Sequence, residues 1–104
     1  MNLNLENINK AFESKVRLGI MSALMVNSSV DFATMKQLLN LTDGNLATHA
    51  RNLEELGYIT SEKKFIGKKP NTSYSITESG REAFTAHLNA LEKILKMNFL
   101  MDNG

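Results

Sequence analysis

Residues 42–57 read TDGNLATHARNLEELG and run directly into YITSEKKFIGKKPNTSYSI at 58–76. The first stretch has helical periodicity: Leu46, Ala50 and Leu53 share one face with Leu56 close by, while Asn45, Thr48, Arg51, Asn52 and Glu55 fall away from it. Thr42 stands at the N-cap, Asp43 favours the positive helix end, and Gly57 offers the left-handed conformation that stops the helix. In the second stretch Tyr58–Ile59 and Phe65–Ile66 flank a polar segment, and Tyr74 and Ile76 alternate with serines. Two strands are therefore expected around a Gly67–Asn71 turn, with Gly67 and Pro70 at a loop tip outside the ladder.

Outward from this unit, Phe12, Val16, Ile20, Ala23 and Leu24 recur at helical spacing, so a core helix is expected from Phe12 to Asn27. Asp31 and Phe32 are expected to be briefly extended. Met35, Leu38 and Leu39 then mark a short helix closed off near Asn40. Thr77 is read as the N-cap of a last helix, with Glu78 in its first turn, running through Phe84, Leu88, Leu91 and Leu95. The expected fold is mainly α with a small β-hairpin: a helix-turn-helix at about 33–56, a hairpin at about 58–76 and a terminal helix at about 77–101.

A chain of 104 residues with a 42% hydrophobic fraction suits one folded domain spanning 1–104. It contains no cysteine, which excludes disulfides and thiolate metal sites and fits a reducing, cytoplasmic setting. The first ten residues do not resemble a secretory signal, and no segment approaches the roughly 20 apolar residues of a membrane span. No membrane partner is expected.

The formal net charge is only +1, so any electrostatic argument rests on placement. Lys63, Lys64, Lys68 and Lys69 lie in or beside the hairpin against the single acid Glu62. Lysines and backbone amides on a hairpin tip suit phosphate oxygens, on a DNA backbone or in a minor groove. A lone lysine-rich turn is more often just a solvated surface. Here the preceding helix adds base-reading chemistry: Asn45 or Asn52 for adenine, Arg51 for guanine or phosphate, Thr48 for phosphate or a thymine methyl. Asp43, Glu54 and Glu55 keep that helix slightly acidic, which argues against tight non-specific binding.

The ordered text resembles the winged helix-turn-helix regulators of the MarR and ArsR type. It consists of Val16-Arg17-Leu18 through Ala23-Leu24, Leu41 to Leu46, Leu53 to Ile59, Lys68 to Thr72 and Tyr74 to Arg81, and covers roughly residues 12 to 86. The resemblance implies a homodimeric regulator of transcription that binds double-stranded DNA, with repression as the family default. It implies that Asn45, Thr48, His49 and Arg51 lie near the major groove and the wing lysines on the backbone. Thr42, Asn52 and Thr72 complete the expected DNA-binding set.

Metal sensing of the ArsR kind is not expected, because there are no cysteines and His49 and His87 lack paired-ligand spacing. No cofactor is expected. His49 is read as a helix-face or phosphate-contacting residue, and His87 as lying on the surface or at a dimer seam. Little chain remains beyond the minimal winged helix, so the terminal methionines and leucines are read as packing residues and any effector is left unassigned.

In the tail, Ile94, Met97 and Met101 add a second apolar stripe beside Leu88, Leu91 and Leu95. One helix cannot hide both in so small a domain. The surplus face, with Leu3, Leu5 and Ile8, is an expected homodimer interface, which on DNA implies an inverted-repeat operator. The alternative is that the N-terminal segment folds over the last helix within one chain. Catalysis is not expected: there is no cysteine nucleophile, no serine with a plausible histidine and carboxylate, and no glycine-rich phosphate loop. The competing function is a winged-helix protein-interaction module that never reads DNA.

Overall fold

The computed structural model describes the backbone of residues 5–103 and the side chains of residues 5–97. After a 3-10 turn at Lys10–Phe12 come α1 (Lys15–Val26), β1 (Val30–Asp31), α2 (Phe32–Leu39), α3 (Asp43–Glu55), β2 (Ile59–Ile66), β3 (Lys69–Ile76) and α4 (Glu78–Asn103). The three strands form one antiparallel sheet in the order β1-β3-β2.

Helix starts are set by short oxygen-bearing side chains. Ser14, Asp31, Thr42 and Thr77 accept the backbone N–H of Arg17, Thr34, Asn45 and Gly80, respectively. Each cap is worth about 1 kcal/mol. Ser14 explains why the first helix begins after Phe12, which the periodicity had included: Phe12 sits in the preceding 3-10 turn and packs inward from there. Asp31 explains why Phe32 is not extended. Its carboxylate caps α2 and Phe32 opens that helix, while the Thr34 N–H holds the Asp31 pKa below the usual carboxylate value.

Helices α2 and α3 end alike. The residues Asn40 and Gly57 adopt left-handed backbone, with φ of 53° and 79°. The next amides, of Leu41 and Tyr58, donate back to the carbonyls of Lys36 and Leu53. This six-to-one closure satisfies carbonyls that helix ends leave unpaired. Leu38, expected to mark the short helix, and Leu56, expected close to the packing face of α3, are exposed. Leu56 is the C-cap of α3, the last residue before the left-handed turn at Gly57, and its N–H still donates to the Asn52 carbonyl.

The wing turn is tighter than the expected Gly67–Asn71 loop. Strand pairing continues to Ile66 opposite Lys69, leaving Gly67 and Lys68 as the turn, with positive φ at Gly67 only. That pattern suits a type II′ hairpin. Pro70, expected outside the ladder, pairs with Phe65. In a two-residue hairpin the pair flanking the turn is hydrogen-bonded, so the next pair is not, and the missing proline N–H is never required. Strand β1 reaches only Ser73 and Tyr74, so no strand is present on the other side at Pro70.

Ile20, Met21, Leu24, Met35, Leu46, Leu53 and Ile59 fill the centre of the core. Around them pack Phe12, Tyr74 and Phe84. His87, expected at the surface or a seam, is 3% exposed. Its Nδ1 accepts the Asn9 backbone N–H at 3.0 Å, and its ring lies edge-on to Phe12. Asn9 Nδ2 also donates to the Tyr58 hydroxyl at 3.1 Å. From Asn9 onward, therefore, the N-terminal segment folds over α4 within the same chain. Leu3 lies outside the described residues, and Met101 outside the described side chains.

The start of α4 is pinned to the α3–β2 junction. Thr77 donates its N–H to the Tyr58 carbonyl at 3.0 Å and its hydroxyl to the Gly57 carbonyl at 2.7 Å. Gly80 lies so close behind that a Cβ there would overlap the Tyr58 carbonyl oxygen, which is backbone and cannot swing away. We expect Gly80→Ala to destabilise the fold by about 3 kcal/mol, the upper part of the usual overpacking range. Gly44→Ala, which meets nothing within 4 Å, should be neutral or stabilising by up to about 1 kcal/mol. Urea unfolding of the two variants checks both values.

Candidate nucleic-acid interface

Helix α3 is anchored on one side only. Leu46, Ala50 and Leu53 are buried, whereas Gly44, Asn45, Thr48, Arg51, Asn52 and Glu55 are all exposed. Spacings of three and four place Asn45, Thr48, Asn52 and Glu55 along one outward stripe, with Arg51 beside it. No charged partner for Arg51 is seen among the described ion pairs. Asp43 pairs with Lys36 of α2 at 2.8 Å, which offsets the acid at the start of the helix. Glu54 turns from the stripe towards Tyr74, whose hydroxyl pKa is raised, first by burial and then by the Glu54 charge.

Thr42 is exposed, but its hydroxyl is committed to the N-cap. His49, expected as a helix-face or phosphate-contacting residue, makes a contact within the chain. It is partly buried, and Arg17 Nη1 of α1 donates to its Nδ1 at 3.0 Å. A guanidinium only donates, so His49 must be neutral with its proton on Nε2. Burial lowers the His49 pKa from 6.5, and the Arg17 charge lowers it further. Arg17 Nε in turn donates to the Ala11 carbonyl at 2.6 Å. Arg17 thus joins the 3-10 turn, α1 and α3. The sequence reading had placed it in no site, and nothing local could pair residues 32 positions apart.

Beside this contact an open cleft of ≈ 560 Å³ is lined by Asn9, Lys10, Ala11, Arg17, Asn52, Glu55 and Leu56. The C-terminal part of the outward stripe, at Asn52 and Glu55, therefore borders the cleft.

The wing projects from the end of α3 through Gly57 and Tyr58. Residues 60–70 are all exposed, among them Lys63, Lys64, Lys68 and Lys69, while Thr72 is half-buried nearer the base. Lys64 lies 3.4 Å from Glu62, with both side chains about two-thirds exposed. Such a pair is worth little in water and leaves the lysine available to another anion. The fold thus sets four lysines beside a helix whose outward face carries amide, hydroxyl and guanidinium groups. Among the described residues no group of three or more His, Cys, Asp or Glu could hold a metal ion, and no helix is long and apolar enough to cross a membrane.

This arrangement matches a family model described as a winged helix DNA-binding domain over residues 16–95. The chain belongs to that family. The winged-helix chain is also 37% identical over 87 residues to an uncharacterized protein of Methanocaldococcus jannaschii, which covers 84% of this chain and 95% of the relative. A solved transcriptional regulator homologue from Pyrococcus horikoshii OT3 is 34% identical, with a TM-score of 0.76 over 83% of this chain and 85% of its own. MarR shares the fold at a TM-score of 0.71 and 17% identity, over 86% of this chain and 64% of its own. The likeness to MarR is thus one of fold, and the Pyrococcus horikoshii protein is described as a transcriptional regulator homologue.

The Arg17–His49 contact makes stability depend on pH. With the folded-state pKa below 6.5, the unfolded chain binds the proton first, so this contribution is present above pH 6.5 and is lost as pH falls through the lower folded value. His49→Gln, which keeps an acceptor for Arg17, should flatten that part of the profile of unfolding free energy against pH. A slope identical to the parent's would show that His49 binds its proton equally well in the folded and unfolded chain.

Proposed function

We propose that this winged-helix protein is a sequence-specific, homodimeric DNA-binding regulator, most simply a repressor, acting in the cytoplasm. The observation that carries the reading is the exposed polar stripe of α3 standing beside a lysine-bearing wing. In this reading Asn45, Thr48, Arg51 and Asn52 address the major groove, and Lys63, Lys64, Lys68 and Lys69 hold phosphates. Thr42 and Thr72 flank the contact at its two ends. His49 serves by fixing the attitude of α3 through Arg17, and touches DNA only at its edge.

The dimer is proposed through α4. Phe84, His87 and Ala90 face the core, whereas Leu88, Leu91 and Leu95 are exposed at spacings of three and four. Ile94 is half-buried beside them, and exposed Leu5 and half-buried Ile8 can extend the patch. A twofold pair would offer two α3 helices to successive major grooves, so the operator is expected to be an inverted repeat with half-sites about 34–36 Å apart. Leu91→Glu with Leu95→Glu should yield a monomer by sedimentation and weaken operator binding while leaving the fold intact.

The deciding measurement is a fluorescence-anisotropy titration against a duplex from the protein's own upstream region and a scrambled control, at several salt concentrations. Preferential, salt-sensitive binding is expected. Lys68→Glu with Lys69→Glu should weaken binding to both duplexes and lower the salt slope. Arg51→Ala or Asn52→Ala should cost about 1–3 kcal/mol on the preferred duplex and less on the control, if the residue reads a base. Absence of binding to either duplex at low salt would favour a protein-interaction module.

A further inference from the structure

The lysines do not account for the tip of the wing. Phe65 and Ile66 are 72% and 68% exposed in the outer part of the hairpin, which the other described residues leave uncovered. Cross-strand pairing puts Phe65 opposite Pro70 on one face of the ribbon and Ile66 opposite Lys69 on the other. Side chains two apart share a face, so Phe65 continues the row of Ile59, Ser61 and Lys63. At the base that row is buried through Ile59, and at the tip it has left the core behind. The tip is thus an aromatic ring backed by a proline, with Lys63, Lys64, Lys68 and Lys69 close by in the hairpin.

The surrounding charge selects the occupant. Two wings packed tip to tip would bring eight lysines together with two glutamates, which disfavours a second copy. A polyanion with an apolar interior meets both the lysines and the ring, and duplex DNA has that construction: phosphates outside, stacked bases within.

Resting on the DNA-binding reading above, we propose that Phe65, backed by Pro70, is a wedge that enters the minor groove beside the phosphates held by the wing lysines. There it partly unstacks one base step and bends the duplex towards the major groove. Steps that unstack easily, such as pyrimidine–purine steps, are then preferred under the wing, and the protein gains sequence preference at a position where it makes no base-edge hydrogen bond. The two-residue turn at Gly67–Lys68 sets the ring near the end of the ribbon.

The chain contains no tryptophan, so Phe65→Trp places a single reporter on the tip. With the full chain and the duplex preferred in the anisotropy titration, the emission of this variant should be quenched and shielded from acrylamide at saturation. Phe65→Ser should keep the parent's thermal midpoint, because the ring is exposed. It should bind about tenfold more weakly, within the contribution of one stacked aromatic side chain, with an unchanged salt slope. It should also abolish the gain in energy transfer between dyes at the duplex ends, and Phe65→Leu should restore most of that gain.

A Phe65→Ser variant that binds and bends like the parent overturns the wedge. If Lys68→Glu with Lys69→Glu still weakens binding in the same assay, the DNA-binding reading stands without the wedge. A parent that binds no duplex at low salt removes both. Emission of the tryptophan variant that shifts on phosphatidylserine–phosphatidylcholine vesicles, yet is unchanged by duplex, overturns the proposal in favour of a membrane surface.

Discussion

Everything downstream of α3 depends on a backbone contact at the root of the wing. The Tyr58 carbonyl accepts the Thr77 N–H, the Thr77 hydroxyl donates to the Gly57 carbonyl, and Gly80 lets the first turn of α4 lie against Tyr58 without a clash. The two ends of the β2–β3 ribbon are thereby clamped together at the point where α3 stops. A hairpin of eight-residue strands with an exposed tip would be marginal alone. Fixed at its root, and joined by β1 on the far side of β3, it becomes a projecting arm with a defined direction relative to α3.

The attitude of α3 is set by apolar packing and one polar tie on its inner side. Leu46, Ala50 and Leu53 supply the packing energy, while the contact from Arg17 to His49 adds a directional polar tie. Because a guanidinium has no acceptor, this tie requires neutral histidine, and so a helix proposed to meet a polyanion is braced by a group sensitive to protonation. The exposed face sets the amides of Asn45 and Asn52 and the Thr48 hydroxyl beside one cation, Arg51, and one anion, Glu55. The excess of positive charge gathers on the wing, at Lys63, Lys64, Lys68 and Lys69. This division suits a protein whose net charge is only +1: selective chemistry sits on the rigid helix, and phosphate attraction sits on the arm.

Helix α4 has two kinds of apolar residue, and the core needs only one. Phe84, His87 and Ala90 close over Phe12 and the N-terminal turn, where Asn9 bridges the His87 ring and the Tyr58 hydroxyl. The leucines on the next face remain outside. The molecule measures 63 × 25 × 21 Å, and a 26-residue helix of about 39 Å accounts for much of that elongation. An apolar stripe on an extended helix is poorly suited to solvent, which is the physical basis for proposing a second copy there.

The sequence by itself determined the elements. Side-chain caps at Thr42 and Thr77, stops at Asn40 and Gly57, and the periodicity of Leu46, Ala50 and Leu53 are local properties of the chain, and the resemblance carried by 12 to 86 follows from their order. The polar stripe of α3 and the lysines of the wing were legible for the same reason. Tertiary structure decided what lies between distant residues. Arg17 meets His49, Asn9 meets His87, and Phe65 is left bare while Phe84 is covered, because these outcomes depend on which surfaces the folded chain brings together. Periodicity assigns a residue to a face of its own helix or strand. Only packing decides whether that face meets the core, another side chain or solvent.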